Sequence, residues 1–477
     1  MQRLYLDSGD LPTGKAGSTC KVSSIHKLNT DFEIFENMIN FASPWKRVWR
    51  SYMKKRIAFK TVGCRLNQYE TDAIASQFAE SGFEVGTFDT EADVYVINTC
   101  TVTSHSDQKS RNLINQAIRK KEGAVVVVTG CLANNYKEEL QKRNDITYVI
   151  ENSRKSGIFS LIDVHFKGEG MHPDQLKPDL FGYTPASKTF HTRSMIKIQE
   201  GCDNFCSFCI VPMVRGRATS RPVDDILGNI RQVLNYGFRE IVLTGVNIGR
   251  YSYENVTFEK LVSNILDLHG DFRLRISSME PEGLGDDFFT LLEHPKMTPH
   301  LHLCLQSGSD RILTGMRRMY DVKTFISLVS KIRSLIPDFN ITTDIMVGFP
   351  GETEDDFRQT REVIETIGFG HIHTFKYSIR EGTRAERMEN QIPEEIKNSR
   401  SKIIRDLSDK QKLSYRSAFI GKTQRVLIEK VQGKQASGYG QHYIPVLIEG
   451  ENLERNSFVD CTLTGIMKGD EPVLIGG

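Results

Sequence analysis

Three apolar segments in succession, IAFKTVG, VYVINT and VVVVTG, each run into a cysteine: Cys64, Cys100 and Cys131. Amphipathic stretches of helical period separate them, with helices expected from Tyr69 to Glu80, from about Ser106 to Lys121 and from about Asn135. That alternation is the pattern of a parallel doubly wound sheet. Successive strands of such a sheet end on one edge, the edge where open α/β folds bind ligands. Cys100 lies 36 residues after Cys64, and Cys131 lies 31 after Cys100, one strand-helix unit each. The three thiols can therefore converge. Cysteines also sit near strand ends for packing alone, but the same placement on three consecutive strands favours a shared metal site.

A chain of 477 residues is long enough for about three domains. No apolar run approaches the ~18 residues of a membrane helix, so no membrane role is expected. The net charge is +2, so a nucleic-acid partner must be met by local basic patches. Nine cysteines without a signal-peptide pattern point to a reducing, cytoplasmic setting in which grouped cysteines bind metal. Residues 1–53 fit no targeting pattern and hold both tryptophans, Trp45 and Trp49, and Cys20, which reads as a plain thiol. Met53 directly precedes KKRIAFK, so this extension reads as either an over-called start or a poorly ordered arm.

The three-cysteine domain is placed at 54–165, followed by a linker at 166–190 rich in Gly, Pro and polar residues. From 191 to 420 a second alternating series has strands near SMIKIQE, EIVLTG, LRISSM, HLHLCLQ, ITTDIMVG and HIHTFKYS. With right-handed crossovers these form an open (βα)6 barrel of TIM-like type, with its site over the carboxyl ends of the strands. From Ile396 to Arg425 nine Lys or Arg stand against two Asp, which predicts a basic helix. Residues 421–477 read as short strands between Gly-containing turns, a small all-β barrel.

EGCDNFCSFCIVP supplies Cys202, Cys206 and Cys209, a C-x3-C-x2-C loop directly after the first barrel strand. Three thiolates so spaced can hold three corners of a cubane cluster and leave its fourth iron open. Zinc would want a fourth protein ligand, and none lies nearby in the sequence.

This loop at the head of a (βα)6 series resembles the radical S-adenosylmethionine superfamily. Residues 56–477 as a whole resemble the methylthiotransferases of that superfamily, through KTVGCRLNQYE, NTCTVT, VVVTGC, EGCDNFCSFCIVPMVRGRATSR, LTGVNIG, RISSMEP, LQSGSD, MRRMY and DIMVGFPGET. GCRLNQYE and MRRMY are most similar to the branch acting on threonylcarbamoyladenosine beside the tRNA anticodon. Other branches act on isopentenyladenosine or on an aspartate of a ribosomal protein.

The resemblance implies two 4Fe-4S clusters, one on Cys64, Cys100 and Cys131 and one on Cys202, Cys206 and Cys209. It implies S-adenosylmethionine as both methyl donor and radical source, and a C-terminal TRAM barrel. Its implied partners are the tRNA anticodon loop, an electron donor such as flavodoxin or ferredoxin, and a sulfur source, with the chain a monomer. Gly245, Asn247, Ser277, Glu280, Gln306 and Ser307 sit at barrel strand ends, where cofactor contacts are expected; a plain turn or buried hydrogen-bonding role is the alternative for each. Cys304 reads as a buried packing thiol.

Arg215, Arg217 and Arg221 of VRGRATSR are candidate phosphate contacts. Tyr439, Tyr443 and Lys434 offer stacking and charge for RNA. Residues 421–477 hold six basic against seven acidic residues, so RNA binding is expected to lean on the 396–425 stretch. A non-catalytic RNA-binding protein with a structural cluster is the reading from a different class.

Overall fold

The Val- and Ile-rich runs of the first half become strands β1 (Arg56–Thr61), β2 (Glu84–Gly86), β3 (Val94–Thr99), β4 (Val125–Gly130) and β5 (Tyr148–Ile150). They pair in the order β2-β1-β3-β4-β5, every pairing parallel. β3 and β4 are buried along their whole length, which is why they read as unbroken apolar runs. The structure is a computed structural model that describes residues 55–185, 192–469 and 471–477. Cys20, Trp45, Trp49 and Met53 lie outside the described residues.

Helices α1 (Arg65–Glu80), α2 (Ser104–Lys120), α3 (Cys131–Asn135), α4 (Lys137–Gln141) and α5 (Ile158–Phe166) fill the connections. α1 and α2 start earlier than their apolar pattern suggests. The hydroxyl of Thr103 caps α2 by accepting the Ser106 N–H at 3.1 Å. The third helix, expected from about Asn135, instead begins at Cys131 itself and breaks at Tyr136, whose ψ of 35° interrupts the winding. α5 and the linker that follows it both pack back onto α1. α5 docks Phe159 edge-on against Phe78 with centroids 5.1 Å apart, and Tyr183 is buried against Tyr69 at 5.7 Å.

The second series forms β6 (Arg193–Lys197), β7 (Glu240–Thr244), β8 (Arg273–Ile276), β9 (His300–Leu303), β10 (Asn340–Val347) and β11 (His371–Lys376), all paired in parallel. β8 joins the lead-in to β9 through the Leu274 N–H, which donates to the Lys296 carbonyl at 2.7 Å. The connections carry helices α6 (Val211–Arg215), α7 (Val223–Asn235), α8 (Phe258–Leu266), α9 (Asp286–Leu292), α10 (Asp310–Gly315), α11 (Val322–Leu335) and α12 (Glu354–Ile367).

Alternation decides which face is which. Ile196, Ile241, Leu243, Leu274, Leu301 and Ile341 join the apolar core under the helices. Their neighbours Arg193, Glu240, Arg273, Arg275, His300, His302, Asp344 and His373 take the opposite, concave face. The lumen is therefore polar and charged.

α13 (Glu394–Ser417) leads to a closed barrel of β12 (Thr423–Gln432), β13 (Gln435–Tyr439), β14 (Pro445–Glu449), β15 (Phe458–Met467) and β16 (Val473–Gly476). α13 is the expected basic helix, but Lys397, Arg400, Lys412 and Arg416 on it are buried. Arg400 pairs with Glu352 at 2.7 Å, and Arg416 with Glu471 at 2.5 Å. The closed barrel abuts the amino ends of the (βα) strands, where Arg273 donates to the Tyr439 carbonyl at 3.0 Å and Asn340 to the His442 carbonyl at 2.7 Å. Among the described residues no helix is long and apolar enough to cross a membrane.

Candidate functional site

The C-x3-C-x2-C loop leaves β6 through Gly201, whose φ is +68°; a Cβ there would lie 2.1 Å from the Arg217 carbonyl oxygen, so only glycine lets the chain turn. The Cys209 N–H donates to the Cys206 carbonyl at 3.0 Å, and the Cys202 N–H to that of Gly216 at 3.1 Å. The Ser207 hydroxyl pins the loop to α10 by donating to the Gly315 carbonyl at 2.8 Å. As free thiols the later two are hard to ionise. Burial, with Cys206 alongside, pushes Cys209 up to about 12; burial also raises Cys206, against the pull of Arg318.

The second triad comes from three strand ends, as the sequence implies. Cys64 is exposed at the start of α1, Cys100 follows β3, and Cys131 opens α3. Gly63, at φ +101°, passes so close that a Cβ would sit 2.8 Å from Cys100 Sγ. Burial, then Cys131 and Cys64, push the Cys100 thiol up to about 11.

Neither triad closes its three sulfurs to within 4.8 Å. A single tetrahedral ion needs ligands packed that tightly, whereas the corners of an iron-sulfur cubane stand further apart. Three thiols that influence one another electrostatically make up each triad, and that donor chemistry fits such a cluster.

The two triads share a wall. Cys131 packs with Ile210 and Val214 of the segment after Cys209. Asn152 donates to the Val214 carbonyl at 2.9 Å while its amide nitrogen lies 3.8 Å from Cys131 Sγ. Behind them is a buried charge cluster: Glu70 meets Lys155 at 2.6 Å and Lys197 at 3.0 Å, and Arg215 meets Glu200 at 2.8 Å and Glu70 at 3.3 Å. Burial alone would raise the Glu70 carboxyl, but Lys155, Lys197 and Arg215 hold it well below the usual range. Three cations against two carboxylates leave a positive charge over; burial still raises the Cys131 thiol, against the pull of Arg215 and Lys155.

This cluster corrects the reading of VRGRATSR. Arg215 and Arg221 are buried, Arg215 in the charge cluster and Arg221 donating to the Lys197 carbonyl at 3.5 Å. Only Arg217 is exposed, paired with Asp203 at 2.5 Å.

The strand-end residues separate. Asn247 is buried with Nδ2 3.9 Å from Cys202 Sγ and Oδ1 without a partner. Glu280 pairs with Arg318 at 2.5 Å beside Cys206. Gln306 holds a left-handed φ of 65°, strain of the kind found at functional sites. Ser277 is buried with its N–H on the Leu243 carbonyl at 3.2 Å. Gly245 is steric: a Cβ would meet Ile248 at 2.7 Å. Ser307 turns inward, its hydroxyl accepting the Ser309 N–H at 3.2 Å and lying 3.4 Å from that of Thr360.

Cys304 differs from a packing thiol. It is half-buried and forms, with His302 and Asp344, a group whose ligand atoms lie within 4.8 Å of one another. Gln199, which the sequence reading passes over, is the main organiser of the loop. Its amide accepts the Asn247 N–H at 2.8 Å and donates to the Gly201 carbonyl at 2.7 Å.

Two family models match: the Uncharacterized protein family UPF0004 over residues 56–151 and the Radical SAM superfamily over residues 196–364. The chain is 37% identical over 410 residues to the threonylcarbamoyladenosine tRNA methylthiotransferase MtaB of Bacillus subtilis, covering 83% of this chain and 90% of that one. It is 36% identical over 425 residues to the tRNA-2-methylthio-N(6)-dimethylallyladenosine synthase of Fusobacterium nucleatum, covering 86% and 97%. Among solved structures it resembles the radical S-adenosylmethionine methyltransferase TsrM of Kitasatospora setae with cobalamin and a [4Fe-4S] cluster bound. That likeness has a TM-score of 0.52 at 14% identity over 70% of this chain and 74% of that one, and it speaks to the fold alone. With its identity to the methylthiotransferases spread over most of its length, the chain belongs to the radical S-adenosylmethionine methylthiotransferase family and is an enzyme that transfers a methylthio group.

Proposed function

We propose that the enzyme adds a methylthio group to C2 of N6-threonylcarbamoyladenosine beside the anticodon of tRNA. In this reading Cys202, Cys206 and Cys209 hold one 4Fe-4S cluster and Cys64, Cys100 and Cys131 a second. Residues 54–165, 191–420 and 421–477 are taken as the methylthiotransferase, radical and TRAM-type domains. Held by Cys202, Cys206 and Cys209, a cluster with S-adenosylmethionine would supply radical chemistry for hydrogen abstraction at C2, and one held by Cys64, Cys100 and Cys131 would supply the sulfur-transfer chemistry.

The chain's own residues account for the rest. Gln199 and Ser207 fix the loop that presents Cys202, Cys206 and Cys209. The Glu280–Arg318 pair sets a charge beside Cys206. Tyr183 and Tyr69, stacked edge-on at 5.7 Å, close the protein around the buried charge cluster and keep water from it.

The single observation that carries the reading is the shared wall: Cys131 packs on Ile210 and Val214, a few residues after Cys209. Two open-coordinate clusters side by side make sense for an enzyme that must both abstract hydrogen and deliver sulfur to one carbon. The MtaB relatives favour threonylcarbamoyladenosine. The 36% identity to the Fusobacterium synthase keeps dimethylallyladenosine as the second reading.

Anaerobically reconstituted protein, incubated with S-adenosylmethionine, reductant and tRNA carrying either nucleoside, is digested and its nucleosides weighed by mass spectrometry. The expected product is the 2-methylthio form of threonylcarbamoyladenosine. Conversion of dimethylallyladenosine alone would overturn the substrate assignment.

A further inference from the structure

Arg65 follows Cys64 directly and opens α1, yet its side chain leaves its own domain. Its guanidinium stands 5.8 Å from the ring centre of Tyr443, in the C-terminal barrel. It is exposed and makes no hydrogen bond or ion pair among the described residues.

The surroundings of that ring are strongly positive. Arg275 lies over it at 4.0 Å, and His300 stands 5.0 Å away. Arg275 is buried and bonds Glu240 through Nε alone, its two terminal nitrogens lacking partners. Glu240 must also serve Arg273, at 2.6 Å, so the cations outnumber the carboxylates. Burial would raise the Tyr443 phenol, but Arg65, Arg193 and Arg275 together bring it below its ordinary value. His373, exposed on the lumen, also feels Arg65.

Tyr443 itself is held at φ 59°, a conformation bulky residues avoid unless the surroundings impose it. An unpaired guanidinium, an under-bonded one behind it and a strained tyrosine between them form a place built for an anion. Its position beside Cys64 limits which anion. Arg65 is the residue after Cys64, one of the thiols proposed to deliver sulfur, so the anion within its reach is sought on the substrate nucleoside and not on a distant backbone phosphate.

Threonylcarbamoyladenosine carries one carboxylate, on its threonyl group; dimethylallyladenosine carries none. We propose that Arg65, backed by Arg275 and His373 around the Tyr443 ring, forms a subsite that binds the threonyl carboxylate and selects this nucleoside. The proposal rests on the substrate reading above.

The test uses full-length reconstituted enzyme and three tRNA preparations: one with threonylcarbamoyladenosine, one with its carboxylate converted to a neutral amide by carbodiimide coupling, and one with dimethylallyladenosine. Wild-type enzyme should lose roughly tenfold or more in kcat/KM on the amide. Arg65→Gln should use acid and amide at similar rates, through a raised KM on the acid, and Arg65→Lys should recover part of the preference. Iron content measured on each variant guards against misfolding, and the wild-type comparison needs no variant at all.

Equal use of acid and amide by the wild type, or an undiminished preference in Arg65→Gln with full iron content, would overturn the subsite. If the wild type converts dimethylallyladenosine and neither form of threonylcarbamoyladenosine, the substrate reading itself has failed, and the subsite with it.

Discussion

Glu70 on α1 lies 3.0 Å from Lys197 at the end of β6, and both side chains are sealed from solvent. The other carboxylate oxygen meets Lys155 at 2.6 Å. One acid thus joins the doubly wound sheet, the barrel strand that leads to the cysteine loop, and the helix that follows it. Replacing it with glutamine leaves Lys155, Lys197 and Arg215 facing one another with Glu200 alone. Breaking a buried pair in this way should cost about 3 to 5 kcal/mol, read by urea unfolding of Glu70→Gln against wild type. A change under about 1 kcal/mol would show that the cluster does not hold the sheet to the barrel.

The six cysteines of the metal-free chain should differ in reactivity. Cys64 is exposed, whereas burial pushes Cys100 up to about 11 and Cys209 up to about 12. The thiolate is the nucleophile, so at pH 8 iodoacetamide should label Cys64 well before Cys100 and Cys209. Peptide mass spectrometry against time reads the order. Simultaneous labelling would contradict the burial of the strand-end thiols.

His442 is buried where the C-terminal barrel meets the (βα) strands, its Nδ1 lying 3.1 Å from Gln424 Oε1 and its ring 4.7 Å from that of Phe419. Burial lowers its pKa from 6.5 to about 4. The folded state therefore takes up the proton later than the unfolded state as pH falls. Stability is full above pH 6.5 and is lost progressively towards pH 4, by about 3 kcal/mol from this group. His442→Gln should flatten that part of the pH–stability curve. A parallel downward shift with no change of slope would contradict the assignment.

The basic helix α13 divides in two. Lys402, Arg405 and Lys410 are exposed, while Lys412 and Arg416 are buried on Glu471. Neutralising the exposed three should weaken tRNA binding and reduce the slope of log affinity against log salt by about 2, leaving the melting temperature nearly unchanged. Arg416→Ala should instead lower the melting temperature. Unchanged tRNA affinity in the triple variant would move the RNA contact away from this helix.

Much of this architecture was legible before any coordinates. Cysteines at the ends of VYVINT and VVVVTG announce themselves because a buried parallel strand is an unbroken apolar run with a sharp end. The six barrel strands were readable for the same reason. The three-residue edge strands β2 and β5 were not, being too short for any period to register. α13 misled because charge is visible in a sequence and its partner is not: Arg400 and Arg416 look solvated until Glu352 and Glu471 fold onto them. Arg215 was misjudged the same way, since its partner Glu70 lies 145 residues earlier. Arg65 carries no local signal for the lumen, because only the packing of the C-terminal barrel against the (βα) strands brings Tyr443 to it.

The central claim is that Cys64, Cys100 and Cys131 hold a cluster distinct from that on Cys202, Cys206 and Cys209. The most direct measurement takes anaerobically reconstituted Cys64→Ala and determines its iron content, its reductive cleavage of S-adenosylmethionine and its methylthio transfer. The account predicts about four irons fewer than wild type, retained formation of 5′-deoxyadenosine and no methylthio product. Loss of both activities, or wild-type iron content with transfer intact, would contradict two separate clusters.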